Sequence, residues 1–268
     1  MRVHRVSTFR GKVAIVTDGA SGIGRALCEG LARCGAIVVA LDINSQNSGA
    51  GELMRVDVSK SDEVNSAVQA VFKKHGRLDF MFNNAGIAVA GELRDSAPEH
   101  WRKVVDVNLM GVIYGTLAAY KVMIPQGFGH IVNVSSVTGL MATPILTLYG
   151  TTKWGIVGLS LSLRPEAATL GIKVSVACPS LVHTNISDTG IYLKVRKEDY
   201  LARLPWRWMM QPPQVAKAIL RGVQKNRSVI ICPWHGRLSW WLYRVCPALL
   251  APFSNWMVKE WRKLRLPG

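Results

Sequence analysis

The sequence has few cysteines, and their arrangement suits neither a disulfide framework nor a metal site. Its 268 residues contain five cysteines, an odd number with no CxxC pair, and the six histidines never occur at metal-ligand spacing. Secreted disulfide scaffolds and structural zinc sites both need closely spaced ligands of these types. The composition therefore predicts a protein of a reducing compartment, the cytoplasm, with no bound metal.

Long apolar runs are also missing. No uninterrupted apolar stretch reaches the roughly 18 residues that a membrane-spanning helix requires. Residues 1–10 carry Arg2, Arg5 and Arg10, but no apolar segment of about seven to fifteen residues follows them, so no signal peptide is predicted. At this length, one large α/β domain is the simplest expectation.

Acidic residues are scarce in the last third of the chain. Residues 191–268 contain 15 Lys and Arg but only 3 Asp and Glu, whereas residues 1–190 contain 18 and 14. Such asymmetry favours an anionic partner for the C-terminal part: a membrane surface, an acidic substrate or a nucleic acid. A solvated basic surface explains it equally well.

Short, β-branched apolar runs alternate with segments of helical periodicity, which is typical of βαβ units. The pattern predicts a single-domain, Rossmann-type, doubly wound parallel sheet with helices on both faces over residues 1–232. A basic, Trp-rich extension follows over 233–268. Pro165 predicts a kink or an early end in its helix. The predicted strands are 12–17, 36–41, 53–58, 78–83, 130–135, 172–178 and 228–232, and the helices 22–34, 61–75, 98–124, 146–170 and 212–225.

A glycine-rich turn separates the first strand from the first helix, in the sequence TDGASGIG over residues 17–24. Glycines let a backbone approach a pyrophosphate, and a helix N-terminus offers unpaired N–H groups to phosphates. Asp42 stands eighteen residues beyond Gly24, where a carboxylate can bind ribose hydroxyls and repel a 2′-phosphate. Position 21 is a serine, and no basic residue stands just after Asp42, so no side chain is placed to bind a 2′-phosphate. NAD(H) is therefore predicted rather than NADP(H).

Together with further motifs, this turn resembles the short-chain dehydrogenase/reductase family over about residues 10–232. Those motifs are Asp57-Val58, NNAG at 83–86, Asn108, Ser136 and YGTTK at 149–153. The resemblance implies a cofactor site formed by Gly19, Ser21, Gly22, Ile23, Gly24, Asp42, Asp57, Val58, Asn84, Ala85, Gly86, Tyr149, Lys153, Pro179, Val182 and Thr184.

Four residues form a candidate catalytic group. Tyr149 and Lys153 are four apart, so a helix places them on one face, and an ammonium there is expected to lower the pKa of the phenol. Ser136 can hydrogen-bond the substrate oxygen. Asn108 resembles the family asparagine that supports a water relay to the lysine. The resemblance implies hydride transfer between nicotinamide and a carbonyl or alcohol carbon, with Tyr149 handling the proton.

The sequence departs from the family pattern at two positions. Asp18 stands where the family has its first glycine, and Ser180 where it usually has glycine after Pro179. The Asp18 carboxylate either repels the pyrophosphate or closes the turn, since Asp tolerates unusual backbone angles. Asp18 also keeps open a second class of function, a catalytically impaired NAD-binding sensor or scaffold protein.

An apolar segment over 184–211 occupies the position of the family's variable substrate lid. It predicts a small lipophilic alcohol or ketone substrate, of steroid, retinoid, terpenoid or long-chain type. A dimer contact or core packing is the alternative. The resemblance also implies a homodimer or homotetramer.

The extension combines aromatic and basic residues in a pattern that suits a bilayer interface. It contains five tryptophans and six Lys or Arg, against the single acid Glu260. This predicts peripheral attachment to a membrane, with packing on the subunit or its neighbour as the alternative. No nucleic-acid binding module is recognised, so no nucleic-acid partner is predicted.

Overall fold

A seven-stranded parallel sheet forms the centre of the protein in a computed structural model. The structure describes residues 8–44 and 50–267, except the side chain of Trp208, so most of the segment considered for a signal peptide lies outside it. The sheet order is β3-β2-β1-β4-β6-β7-β9, and β5 pairs with β8 in a separate two-stranded sheet. The strands are β1 (Val13–Thr17), β2 (Ile37–Asp42), β3 (Glu52–Arg55), β4 (Phe80–Asn83), β5 (Val89–Ala90), β6 (Gly129–Val134), β7 (Ile172–Pro179), β8 (Ile191–Tyr192) and β9 (Val229–Cys232).

Ten α-helices occur in the described residues. They are α1 (Gly22–Arg33), α2 (Ser61–His75), α3 (Pro98–Val105), α4 (Gly111–Gln126), α5 (Thr147–Ala168), α6 (Ile186–Thr189), α7 (Lys197–Leu201), α8 (Pro212–Gln224), α9 (Trp234–Val245) and α10 (Ala251–Leu264). A five-residue π-helical turn, Asp106–Met110, joins α3 to α4. The lid segment, predicted as irregular, contains α6, β8 and α7.

Both faces of the sheet are buried, because alternate strand residues point to opposite sides. In β1, Ala14 and Val16 join the core on the side of α1 and α8, whereas Val13 and Ile15 join the core on the side of α2 and α4. This arrangement confirms the predicted single-domain, doubly wound fold.

Three local expectations need correction. The third strand ends at Arg55, so Asp57 and Val58 follow it instead of belonging to it. The helix predicted over 98–124 is interrupted by the π-helical turn. The early end that Pro165 could cause does not occur, because α5 continues through it to Ala168. Proline removes the hydrogen bond to the carbonyl of Leu161, and Leu161 lies on the exposed side of α5, where water can solvate that carbonyl.

One helical segment in the described chain, Pro98–Gln126, passes a test of length and apolar composition for a membrane span. Half of the apolar stretch is buried inside the protein, as for a core helix that packs on a sheet. This segment is therefore weak evidence for a membrane-spanning helix.

The C-terminal extension packs against the sheet domain through α10. Trp261 is 2% exposed and lies among Ala90, Ile145 and Val195. Two ion pairs join the extension to the 3₁₀ turn after β5, from Arg262 to Glu92 at 2.7 Å and from Arg265 to Asp95 at 2.5 Å. These two arginines therefore serve an intramolecular contact, which agrees with the alternative that the extension packs on the subunit.

Candidate active site

A crevice opens where the strand order reverses between β1 and β4. From β1 the chain moves outward through β2 and β3 and then returns to β4 on the other side of β1. Ligands of such sheets bind beyond the carboxyl ends of the strands at this point. The Thr17 hydroxyl at the end of β1 accepts hydrogen bonds from the backbone N–H groups of Asn84 (2.8 Å) and Ala85 (2.9 Å). Thr17 thus fixes the NNAG segment at the crevice.

The glycine-rich turn has the shape that a pyrophosphate needs. Gly22 adopts φ +50°, and a Cβ at that position would lie 3.3 Å from the Thr184 side chain. A Cβ on Gly24 would lie 1.9 Å from the Asp18 carbonyl oxygen, so only glycine fits. The first turn of α1 has no side-chain cap and no acidic residue, so its N–H groups can bind phosphate. The predicted residues Gly19 to Gly24 lie together here, with Thr184 opposite them.

Asp42 lies beside the glycine-rich turn at the end of β2. Its carboxylate is buried and accepts hydrogen bonds from the backbone N–H groups of Ala20 (3.0 Å) and Asn44 (2.9 Å). A carboxylate has about four acceptor positions, so these two hydrogen bonds leave room for further donors, of which a protonated Asp18 is one. Beyond β3, Asp57 accepts hydrogen bonds from Ser59, and Val58 packs beside Gly111.

Asp18 occupies the turn with a left-handed backbone, at φ +53°. The Ser21 hydroxyl donates a hydrogen bond to its carboxylate at 3.1 Å, and Asn84 Nδ2 lies 3.5 Å from the other oxygen. Burial and the neighbouring Asp42 carboxylate raise the Asp18 pKa to about 7. The charge that was expected to repel the pyrophosphate is therefore only partly present at neutral pH.

We expect NADH binding to weaken between pH 6 and pH 8, because Asp18 is protonated below its pKa and ionised above it. Asp18→Asn keeps the shape of the side chain and tolerates φ near +53°, so its affinity should stay nearly constant over the same range. Asp18→Gly should also tighten binding at pH 8. Calorimetric titration of the three proteins at both pH values measures these effects. Identical wild-type affinity at pH 6 and pH 8 would contradict the assignment.

The structure brings Ser136, Tyr149 and Lys153 together at the mouth of the crevice. Ser136 follows β6, and its side chain is close enough to the Tyr149 phenol to lower the pKa of that phenol. Lys153, one helical turn beyond Tyr149, places Nζ 5.4 Å from the centre of the tyrosine ring and donates to the Val134 carbonyl at 3.1 Å. A hydroxyl, a phenol and an amine therefore converge where a substrate oxygen can reach them.

The expected lowering of the Tyr149 pKa was wrong for the protein alone. Burial raises the pKa of Tyr149 to about 12, although the nearby Ser136 side chain lowers it slightly. Burial also lowers the pKa of Lys153 to about 8, so the lysine carries less than a full charge under mildly alkaline conditions. The phenol is thus a proton donor at neutral pH.

Asn108 lies in the π-helical turn, which turns its side chain towards the crevice. It is fully buried, accepts a hydrogen bond from the Ile87 N–H at 2.8 Å and donates to the Ile87 carbonyl at 2.9 Å. It also lies 3.3 Å from the Thr152 hydroxyl on α5. A Cβ on Gly86 would meet both Asn108 and Lys153. The asparagine therefore connects the segment after β4 to the helix that carries Tyr149.

The segment after β7 forms the remaining wall of the crevice. Ser136 Oγ donates to the Pro179 carbonyl at 3.4 Å, and Val182 is bridged to Met210 at the end of the lid segment. Three residues that contribute here were not singled out from the sequence: Thr17, Thr152 and Ile145. Ile145 has φ +60°, and its carbonyl accepts a hydrogen bond from Gly91 N at 2.7 Å.

Comparisons with known proteins identify the family of this chain. A family model described as short chain dehydrogenase matches residues 12–190. A 3-oxoacyl-[acyl-carrier-protein] reductase of Thermotoga maritima is 34% identical, covering 79% of this chain and 90% of that protein. The 2-(R)-hydroxypropyl-CoM dehydrogenase of Xanthobacter autotrophicus is 32% identical, covering 78% and 90%. A short chain dehydrogenase/reductase from Burkholderia phymatum, solved in complex with NAD, has a TM-score of 0.80 at 27% identity, covering 90% of this chain and 95% of that one.

Proposed function

Because the chain belongs to the short-chain dehydrogenase/reductase family, we propose that it is an NAD(H)-dependent oxidoreductase that interconverts a carbonyl compound and an alcohol. The observation that carries this proposal is the convergence of Ser136, Tyr149 and Lys153 beside the glycine-rich turn. A nicotinamide cofactor supplies or accepts the hydride when it is bound.

The chain's own residues handle the substrate oxygen. During carbonyl reduction, the Tyr149 phenol donates its proton to that oxygen, and Ser136 Oγ donates a hydrogen bond that stabilises negative charge developing there. Lys153 is held beside the phenol by the Val134 carbonyl and provides positive charge as the phenolate forms. In alcohol oxidation the same proton moves back to the phenolate.

Asp42 supports a preference for NAD(H) over NADP(H), because a buried carboxylate at this position repels a 2′-phosphate. Asp42→Ala should narrow the ratio of kcat/KM values between the two cofactors about tenfold or more, since hydrogen bonds to charged groups contribute roughly 1.5–3 kcal/mol. Steady-state kinetics with NADH and NADPH measures the ratio. Equal efficiency with both cofactors in the unmutated protein would rule out this role.

The apolar lid segment supports a lipophilic substrate. Tyr192, Leu201 and Leu204 are half-buried there, and Trp206 is exposed beside His183. The Thermotoga maritima relative is named for a 3-oxoacyl thioester, which offers a second candidate: a β-keto group on an acyl chain. A screen of NADH oxidation with cyclic ketones, long-chain ketones and 3-oxoacyl thioesters separates the two classes. Turnover confined to sugars would contradict both.

A non-catalytic NAD-binding sensor or scaffold is the alternative that Asp18 keeps open. It predicts NADH binding with no turnover of any ketone or alcohol in the same screen, whereas the enzyme predicts turnover that depends on Tyr149. The partial neutralisation of Asp18 near pH 7 favours the enzyme.

Assembly and location complete the proposal. Four large apolar side chains on α4 and α5 are exposed in the single chain: Leu117, Ile124, Trp154 and Leu161. Their exposure supports a homodimer or homotetramer formed through these helices. Size-exclusion chromatography with light scattering measures the oligomeric state.

All five cysteines are free thiols, which agrees with a reducing compartment such as the cytoplasm.

A further inference from the structure

The C-terminal extension has two apolar faces, although a surface helix needs only one to pack on its domain. The outer face of α9 carries four exposed apolar residues at spacings of four, three and four, which place them in one stripe. Three more exposed apolar residues, at spacings of four and three, lie in the turn before α10 and in α10 itself. These seven residues, here called the outer stripe, are Trp234, Leu238, Trp241, Val245, Leu249, Phe253 and Trp256.

Internal packing does not explain the outer stripe. The inner faces of the same helices already make the contacts with the domain: Gly236 lies beside Val137 and Ile231, and Trp261 is buried among Ala90 and Ile145. In the outer stripe, Trp241 and Leu249 are each 59% exposed. Exposed apolar side chains on helices that already pack through their other face mark a site of interaction with a protein or a membrane.

The charge around the outer stripe distinguishes between those partners. Arg237, Arg244 and Lys259 are exposed within the extension. Its one acid, Glu260, pairs with Arg203 and Lys263. A second copy of this chain that bound through a two-fold interface would bring the same cations together, because each subunit presents the same patch. Anionic lipid headgroups instead complement the cations, and the indole rings suit the headgroup level of a bilayer.

The position of the extension relates this surface to the active site. Gly236 contacts Val137, which directly follows Ser136, and Trp261 contacts Ile145, four residues before Tyr149. Both helices therefore border the edge of the sheet at which the crevice opens. A bilayer that contacts the outer stripe would lie close to the mouth of the active site.

We propose that the outer stripe docks the protein on the surface of an anionic bilayer, with the active-site edge facing the lipid. No segment of the extension spans the membrane, because α9 and α10 are amphipathic and contain 12 and 14 residues. The benefit to a lipophilic substrate rests on the proposed function, but docking itself needs no turnover.

Flotation of the full-length protein with vesicles tests the docking surface. We expect wild type to float at low salt with vesicles of phosphatidylcholine and phosphatidylglycerol, and to float much less with phosphatidylcholine alone or at high salt. The double variant Trp241→Ser, Leu249→Ser should lose about tenfold or more in vesicle affinity, because two large apolar side chains no longer enter the interface.

A matched control removes one aromatic and one aliphatic side chain elsewhere. Phe128 and Leu170 are 39% and 42% exposed and lie just before β6 and β7, at the end of the sheet opposite the crevice. Phe128→Ser, Leu170→Ser should therefore float like wild type. Since all four positions are exposed, circular dichroism should show folded proteins in each case.

Three results would overturn the docking proposal. Wild type that stays at the bottom of the gradient with anionic vesicles excludes it, as does equal flotation of the two double variants. A third is a change of oligomeric state in the Trp241, Leu249 variant without flotation of wild type, which would assign the outer stripe to a subunit interface. NADH turnover is measured on the same preparations, so flotation without turnover counts against the proposed chemistry alone.

Discussion

Tyr149→Phe is expected to lower kcat by about 100-fold or more, with little change in NADH affinity. The substitution removes only the phenol oxygen, which donates the proton, and leaves the ring that packs beneath Lys153 Nζ. Positioned acid–base groups contribute roughly 10²–10⁴-fold to rate. The size of the effect follows from position, because among the described residues Tyr149 is the phenol beside Ser136, and Lys153 Nζ is itself held by a backbone carbonyl.

Steady-state turnover and NADH fluorescence titration measure the two quantities separately. Tyr120→Phe is a suitable control, because Tyr120 lies on α4 and packs with the core on the side of α2. It should retain wild-type turnover. If Tyr149→Phe kept more than about a tenth of the wild-type rate, Tyr149 would not be the proton donor.

Gly24→Ala should have the second large effect, an approximately 100-fold loss of NADH affinity. The new methyl group would lie 1.9 Å from the Asp18 carbonyl oxygen and 2.8 Å from Asn84 Nδ2. Neither atom can move freely, since Asp18 belongs to the turn backbone and Asn84 is held by Thr17. Forcing an extra carbon into a packed site costs about 1–3 kcal/mol, and the upper value corresponds to about 100-fold.

Gly158→Ala provides the matched comparison. Gly158 lies in α5, and a Cβ there would meet no atom within 4 Å. Alanine is favoured over glycine inside a helix by roughly 0.5–1 kcal/mol, so this variant should bind NADH normally and unfold at the same or a higher temperature. Isothermal titration and thermal unfolding test both variants. Wild-type NADH affinity in Gly24→Ala would show that the turn relaxes around the methyl group.

The sheet was predictable because a parallel strand that is buried on both faces must be apolar throughout. The run Lys12–Thr17 and most of the other predicted strands consist mainly of apolar residues, and turn residues bound them. Their order along the chain, with the glycine-rich turn after the first strand, also predicted where the crevice opens.

Other features depend on contacts between distant segments, which local patterns do not encode. In the π-helical turn, the side-chain amide of Asn108 hydrogen-bonds both the N–H and the carbonyl of Ile87, twenty-one residues earlier. Burial raises the Tyr149 pKa, contrary to the lowering that the four-residue spacing to Lys153 suggested. The pairing of Arg262 with Glu92 joins residues 170 positions apart, so the sequence left packing of the extension on the subunit as an alternative without showing which residues would make the contact.

Through Ile145, the extension supports the backbone at the start of α5, the helix that carries Tyr149. A β-branched residue rarely tolerates φ near +60°, and such a conformation costs about 1–3 kcal/mol unless neighbouring structure holds it. The Gly91 hydrogen bond and the Trp261 ring hold it here. A chain truncated at Cys232 would lose that ring, and Ile145 could return to an ordinary backbone conformation and shift the start of α5. We then expect the shortened protein to retain every reactive side chain and still turn over slowly, because a shift at the start of α5 would move Tyr149 relative to Ser136.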